Sequence, residues 1–154
     1  MRKLFAAAAI LAIAGTGIAA AQDAPFGMQI KARQGIMAYR ALQMGVLGGM
    51  AKGDVAYDAA AAQKAADNLM ATVTLDASML WPQGSDNSAN PASTALAAIW
   101  ADGSDIGDKA TAFAEAVTAM QAAAGTDLAS LQGAMGNLGG ACGGCHKAFR
   151  VPSN

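Results

Sequence analysis

The sequence predicts an all-α protein, an antiparallel four-helix bundle. Three observations point there. Alanine dominates the chain, and alanine is the strongest helix former. Apolar residues recur in steps of three and four along four long stretches, the spacing of a buried helical stripe. Strand-like alternation of β-branched residues is absent.

The first helix starts near Pro25, because proline's fixed φ suits a first helical position. Phe26, Ile30, Met37, Ala41 and Met44 recur on one face. The helix decays around Gly48-Gly49 and ends by Gly53. Asp54 is the expected N-cap of the second helix. Its apolar stripe is Val55, Ala59, Ala62, Ala66, Leu69, Val73 and Leu80. Residues 82–91, Pro-Gln-Gly-Ser-Asp-Asn-Ser-Ala-Asn-Pro, have the composition of the longest loop. A short helical stretch follows, Ala92 to Ala101, carrying Trp100. Ser104 or Asp105 caps the third helix. Ile106, Ala110, Phe113, Val117, Met120 and Ala124 form its stripe. Gly125 ends it, and Thr126 or Asp127 caps the fourth. So short a connection makes the last two helices antiparallel neighbours.

The fourth helix carries the chemistry. Leu128, Leu131, Met135, Leu138, Cys142, Cys145 and Phe149 step by three and four, so both thiols share the seam of the core residues. His146 lies beside that seam. Gly133, Gly136, Gly139, Gly140, Gly143 and Gly144 are costly in a helix, at up to about 1 kcal/mol each relative to alanine. Close approach of a flat macrocycle to the backbone is one reason to tolerate some of them.

Cys142-Gly143-Gly144-Cys145-His146 reads C-x-x-C-H, the pattern that fixes haem covalently. The thiols add to the haem vinyl groups, and the adjacent imidazole ligates the iron. The chain has two cysteines and one histidine, which argues against the rival readings. A redox dithiol of the thioredoxin kind opens a helix after a strand, whereas this one closes a helix. Structural zinc usually takes four nitrogen or sulfur ligands, one more than these side chains supply. The expected cofactor is therefore one haem c, attached through Cys142 and Cys145, with His146 on its iron. A second histidine ligand is impossible. Methionine, lysine, water and an empty sixth position stay open, and spacing does not choose among the nine methionines. A methionine ligand raises the reduction potential and suits an electron carrier.

Residues 1–21 read as a cleaved secretory signal. Arg2 and Lys3 precede an apolar run from Leu4 to Ile18 and the small residues Ala19-Ala20-Ala21. The run is short for a bilayer span of about 20 residues, and no charged stop follows it. The mature domain is then 22–154, periplasmic, with no stable membrane insertion. It is mildly acidic, because Arg2 and Lys3 are two of only ten basic residues set against eleven acidic ones. Without a basic stripe, nucleic acid is not an expected partner.

Four segments carry a family resemblance across the mature chain: Arg33-Gln34-Gly35-Ile36-Met37, Trp81-Pro82-Gln83-Gly84-Ser85-Asp86, Ala98-Ile99-Trp100, and Cys142 through Arg150. With them the chain resembles the class II c-type cytochromes, or cytochromes c′, four-helix bundles with C-x-x-C-H late in the last helix. The resemblance implies that Arg33 and Gln34 contact haem propionates, that Met37 faces the iron on its distal side, and that Arg150 lies on the proximal side. Spacing agrees, since Arg33 and Gln34 are four and three residues from Met37 on one helical face. Ser85 or Asp86 is placed to help cover a propionate, and Trp81 and Trp100 to pack the pocket. Gly48 to Asp58 and the Ala-Cys-Gly-Gly-Cys-His ending lean toward the family's low-spin branch, in which a first-helix methionine ligates iron.

The expectation is a periplasmic monohaem one-electron carrier, not an enzyme, with His146 and Met37 as metal ligands and redox proteins as partners. The alternative is a five-coordinate high-spin protein that binds nitric oxide or carbon monoxide, with Met37 as a steric gate. Peroxidase-like chemistry wants a distal acid–base residue, and the one histidine is already committed. Relatives that dimerise through their first two helices make a homodimer a further expectation.

Overall fold

The first helix stops where its backbone turns left-handed. Gly53 has φ 81°, a conformation that costs glycine little. Its N–H donates to the Met50 carbonyl at 3.1 Å, and the Asp54 N–H returns to the Gly49 carbonyl at 2.9 Å. These bonds occupy carbonyls that a helix end leaves orphaned. The computed structural model describes residues 24–152, so the expected signal, residues 1–21, lies outside the described residues. Four helices follow one another: α1 (Gly27–Lys52), α2 (Ala59–Val73), α3 (Ile106–Ala123) and α4 (Leu128–Phe149). Single 3-10 turns at Ser78–Leu80 and Ala97–Trp100 interrupt the long α2–α3 connection. Each helix packs on the next and α1 also packs on α4, as in an antiparallel four-helix bundle.

Three boundaries differ from the sequence reading. Asp58, not Asp54, caps α2; its carboxylate accepts from the Ala61 N–H at 3.0 Å. Residues 54–58 stay outside the helix, and Tyr57 is tied across the bundle, its hydroxyl donating to the Ala124 carbonyl at 2.9 Å. Val55 therefore leaves the expected stripe and is 53% exposed. At the other end α2 stops at Val73, which places Leu80 in the 3-10 turn. The helical stretch expected over Ala92 to Ala101 is confined to Ala97–Trp100. Before it, Ala95 pairs with Arg150 in an antiparallel bridge. The Leu96 N–H donates to the Phe149 carbonyl at 2.9 Å and the Val151 N–H to the Thr94 carbonyl at 2.8 Å. The long connection is thus fastened to the exit of α4, just past the C-x-x-C-H segment.

The core sits among all four helices. Leu47, Leu69, Val117, Met120, Leu131 and Leu138 are fully buried, and a buried leucine stabilises by roughly 1.5–3 kcal/mol. Ala62, Ala65, Ala66 and Ala124 join them, keeping the backbones close. On α1 the expected Ile30 is buried, but the expected Ala41 faces solvent, and Leu47 and Met50 are buried besides. On α3 the expected Ala110 is exposed. A smaller cluster gathers Ala95, Ile99 and Phe149 with Trp81, Trp100, Ile106 and Cys145. Among the described residues, no helix is long and apolar enough to cross a membrane.

Candidate haem site

Asp127 starts the helix that bears the motif. Its carboxylate accepts from the Ser130 N–H at 2.7 Å, and α4 runs unbroken to Phe149. The periodicity then sets the thiols. Cys142 and Cys145 are half-buried and neither is in a disulfide. Burial pushes both thiols up from their ordinary pKa; the Arg40 charge opposes this at Cys142 and the Lys109 charge at Cys145. His146, beside them, is half-buried. Burial first, then the Arg150 charge, holds its pKa below the ordinary value. The imidazole is therefore neutral at pH 7, the form that can ligate a metal. Arg150 itself is exposed and caps α4, its N–H donating to the His146 carbonyl at 3.1 Å. Arg150 thus lies one turn beyond His146, at the exit of α4.

A cavity beside helix α1 is lined by Arg33, Ile36, Met37, Arg40, Leu75, Leu80 and Trp81, among others, and α1 also packs on α4. Arg33 is only 4% exposed. Its Nη1 donates to Ser85 Oγ at 2.7 Å and to the Leu80 carbonyl at 3.2 Å; Nη2 donates to Ser93 Oγ at 2.7 Å and to the Ser85 carbonyl. The guanidinium also lies 4.6 Å from the centre of the Trp81 ring. Burial lowers its pKa, and the charge of Asp86 partly opposes that. Gln34 is exposed and donates to the Ala92 carbonyl at 2.8 Å. Of the two loop residues, Ser85 is fully buried against Arg33, whereas Asp86 orders its own turn. Asp86 accepts from the Ser88 N–H at 2.8 Å and from the Ala89 N–H at 3.3 Å. The indoles pack as expected: Trp100 Nε1 donates to the Trp81 carbonyl at 3.0 Å, with the ring centres 6.5 Å apart.

One site residue escapes the sequence reading. Arg40 lines the same cavity, its Nε donating to Thr72 Oγ1 at 2.8 Å and its Nη2 to the Thr72 carbonyl at 3.0 Å. Its guanidinium stacks 4.6 Å from the centre of the Phe113 ring, and Nη1 is 4.0 Å from the sulfur of Met37. Burial lowers its pKa, while Cys142 and then Cys145 raise it. The only signal in the sequence is spacing, since Arg40 falls three residues after Met37 and seven after Arg33 on one helical face.

The donor set fits a haem. Two arginines line one otherwise mostly apolar cavity, yet the one ion pair among the described residues is Lys109 with Asp105, at 3.2 Å. A flat apolar group bearing two carboxylates would match both properties, and two free thiols beside a neutral imidazole match its mode of attachment. Other metal chemistry has less to work with, because no cluster of three or more His, Cys, Asp or Glu side chains occurs among the described residues.

Comparison with known proteins agrees. The family profile described as Cytochrome C′ matches residues 28–150. Cytochrome c-554 of Cereibacter sphaeroides is 49% identical over 133 residues, covering 86% of this chain and 87% of that protein. The structure of a cytochrome c′ from Rhodobacter Spheriodes superposes with a TM-score of 0.80 at 39% identity, covering 83% of this chain and 98% of the other. A nitric oxide complex of a mutant of cytochrome c prime from Alcaligenes xylosoxidans gives a TM-score of 0.72 at 27% identity, covering 83% of this chain and 97% of that one.

Proposed function

Because the chain belongs to the cytochrome c′ family, and so carries one haem c attached through Cys142 and Cys145, we propose that it is a periplasmic one-electron carrier with His146 and Met37 as its iron ligands. When bound, the haem supplies an Fe(III)/Fe(II) couple. The residues of the chain do the rest. Cys142 and Cys145 tether the group to the core seam of α4. His146 presents a neutral ring nitrogen beside them, and Arg150 helps keep that ring unprotonated. Arg33 offers a buried cation to a propionate while it holds the loop over the cavity. Gln34, next to it on α1, would make a second propionate contact by giving up its bond to the Ala92 carbonyl.

One observation carries this reading. Met37 lines the cavity with Arg33 and Trp81, and its sulfur lies 4.0 Å from Arg40, the residue whose charge reaches both thiols. A thioether is therefore available in the wall of the cavity on the α1 side. The optical spectrum of the purified ferric holoprotein tests it. A low-spin spectrum with a methionine–iron charge-transfer band is expected; a high-spin spectrum in the resting protein would overturn Met37 as a ligand.

A second reading has its own support in the nitric oxide complex formed by the Alcaligenes xylosoxidans mutant that shares this fold. There Met37 would gate the distal face of a five-coordinate iron, and Arg150 would meet a ligand on the proximal face. The apolar lining from Ile36, Leu75 and Leu80 suits a small neutral gas. We favour the carrier because the cavity already holds a soft donor. Redox proteins are the partners in that role. Pairing of two copies is part of the same proposal, since Tyr39, Leu42 and Val46 form an exposed apolar stripe on α1.

A further inference from the structure

We propose that Arg40 sets the redox equilibrium of this protein: a half-buried cation, fixed in the wall of the cavity beside Met37, that favours the reduced iron. The inference rests on the haem reading above but not on the identity of the sixth ligand.

Placement comes first. Along a helix each residue rises 1.5 Å, so Arg33 and Arg40 stand about 10.5 Å apart on one face of α1, with Met37 between them. Their surroundings differ. Arg33 is spent on the loop, with bonds to residues 80, 85 and 93. Arg40 is instead bonded to Thr72 and lies beside Met37, and the two thiols favour its charged form.

Rigidity comes second. An exposed arginine samples many rotamers and is screened by water. Arg40 is clamped from two helices: Thr72 of α2 accepts twice, from Nε at 2.8 Å and from Nη2 at 3.0 Å, and the guanidinium carbon lies 4.6 Å from the centre of the Phe113 ring of α3. Thr72 is itself buried, with its hydroxyl donating to the Leu69 carbonyl at 2.7 Å. No carboxylate forms an ion pair with Arg40 among the described residues. The guanidinium keeps its proton in proteins, so a fixed, uncompensated positive charge faces the haem cavity.

The consequence follows from Coulomb's law. Ferric haem carries one positive charge more than ferrous haem. A nearby fixed cation opposes the oxidised state, and at an effective dielectric constant of about 20 and a separation of about 10 Å it moves the equilibrium roughly tenfold toward Fe(II). For one electron, tenfold is 59 mV.

The test uses holoprotein with Arg40→Met, Arg40→Lys and Thr72→Val, read by spectroelectrochemical midpoint potential and by ferric optical spectrum. Arg40→Met is expected to shift the equilibrium about tenfold toward Fe(III), which is 59 mV. Arg40→Lys keeps the charge and is expected to retain most of the wild-type potential. Thr72→Val loosens the clamp and is expected to shift two- to threefold in the same direction. An unchanged potential in Arg40→Met overturns the proposal, and so does an equal fall in Arg40→Met and Arg40→Lys, which would mark a packing role. If Arg40→Met does not assemble, Thr72→Val decides, and an unchanged potential there overturns it. The spectrum keeps the two readings apart: loss of the low-spin spectrum in wild type sinks Met37 ligation, while the potential shift still reports on Arg40.

Discussion

Arg33 Nη1 donates to Ser85 Oγ at 2.7 Å, joining α1 to a loop 52 residues further along the chain. The same planar fork reaches Leu80 and Ser93, so one side chain fastens the loop at three points. Arg33→Met should leave buried acceptors without donors, at about 1–3 kcal/mol for each group not rescued by water. We expect a loss of roughly 3 kcal/mol in unfolding free energy for the holoprotein, measured by urea denaturation followed by circular dichroism. Arg33→Lys should not restore it, because an ammonium cannot reproduce the fork. Wild-type stability in Arg33→Lys would show that charge alone suffices.

Met37→Ala should convert a six-coordinate low-spin ferric haem to high spin. The residue sits on the middle of the α1 face between Arg33 and Arg40 and lines the cavity with both. Electron paramagnetic resonance and the optical spectrum read the change directly. An unaltered ligand field in the variant would leave Met37 as a packing residue.

Acid should loosen α4 through its cap. The Ser130 backbone N–H, with the Ser130 hydroxyl, holds the Asp127 carboxyl below the usual carboxylate range. A depressed folded value means that the stabilisation is fully present above the unfolded value, about 3.9. It is lost as pH falls through the folded one. Asp127→Asn keeps an acceptor that does not titrate. Between neutral pH and the acid side of that window, the variant should lose less stability than wild type. Parallel acid-unfolding curves for the two proteins would contradict the assignment.

Gly133→Ala should stabilise. Gly133 is exposed within α4, and a Cβ there meets nothing within 4 Å. Alanine in place of glycine in an open helix interior is worth up to about 1 kcal/mol. Thermal melts of the holoprotein should move upward. A drop would mean that something outside this chain packs on that face.

How far the sequence reaches depends on what each residue must satisfy. The α4 seam is legible because its period survives into the structure, with Leu131, Leu138 and Phe149 buried and the thiols half-buried between them. The cap of α4 is legible to within one residue, Thr126 or Asp127, and the bond from the Ser130 N–H decides for Asp127. The start of α2 is ambiguous, since Asp54 and Asp58 are both good caps. The tie between Tyr57 and Ala124, distant in sequence, decides for Asp58. Arg40 is invisible for a similar reason. A charged residue beside an apolar stripe reads as solvated, and only the arrival of Thr72 and Phe113 from other helices buries it. The loop behaves likewise: its polar composition hides that Ser85 and Ser93 are buried partners of one guanidinium.

Removing both tethers should cost the fold as well as the cofactor. Cys142→Ala with Cys145→Ala leaves α4 with six glycines, Gly133, Gly136, Gly139, Gly140, Gly143 and Gly144, none of which has a protein atom within 4 Å of a built Cβ. Protein packing therefore does not hold this helix at those positions. The fully buried core is small and rich in alanine, and alanine contributes little burial per residue. Arg33 and Arg40 would remain as inward cations without an ion-pair partner among the described residues. Uncompensated buried charge is destabilising unless fully hydrogen-bonded. The variant should be colourless, with reduced helicity by circular dichroism and a broad, weakly cooperative melt. Native helicity with a sharp melt in the colourless protein would show that the polypeptide core suffices without the haem.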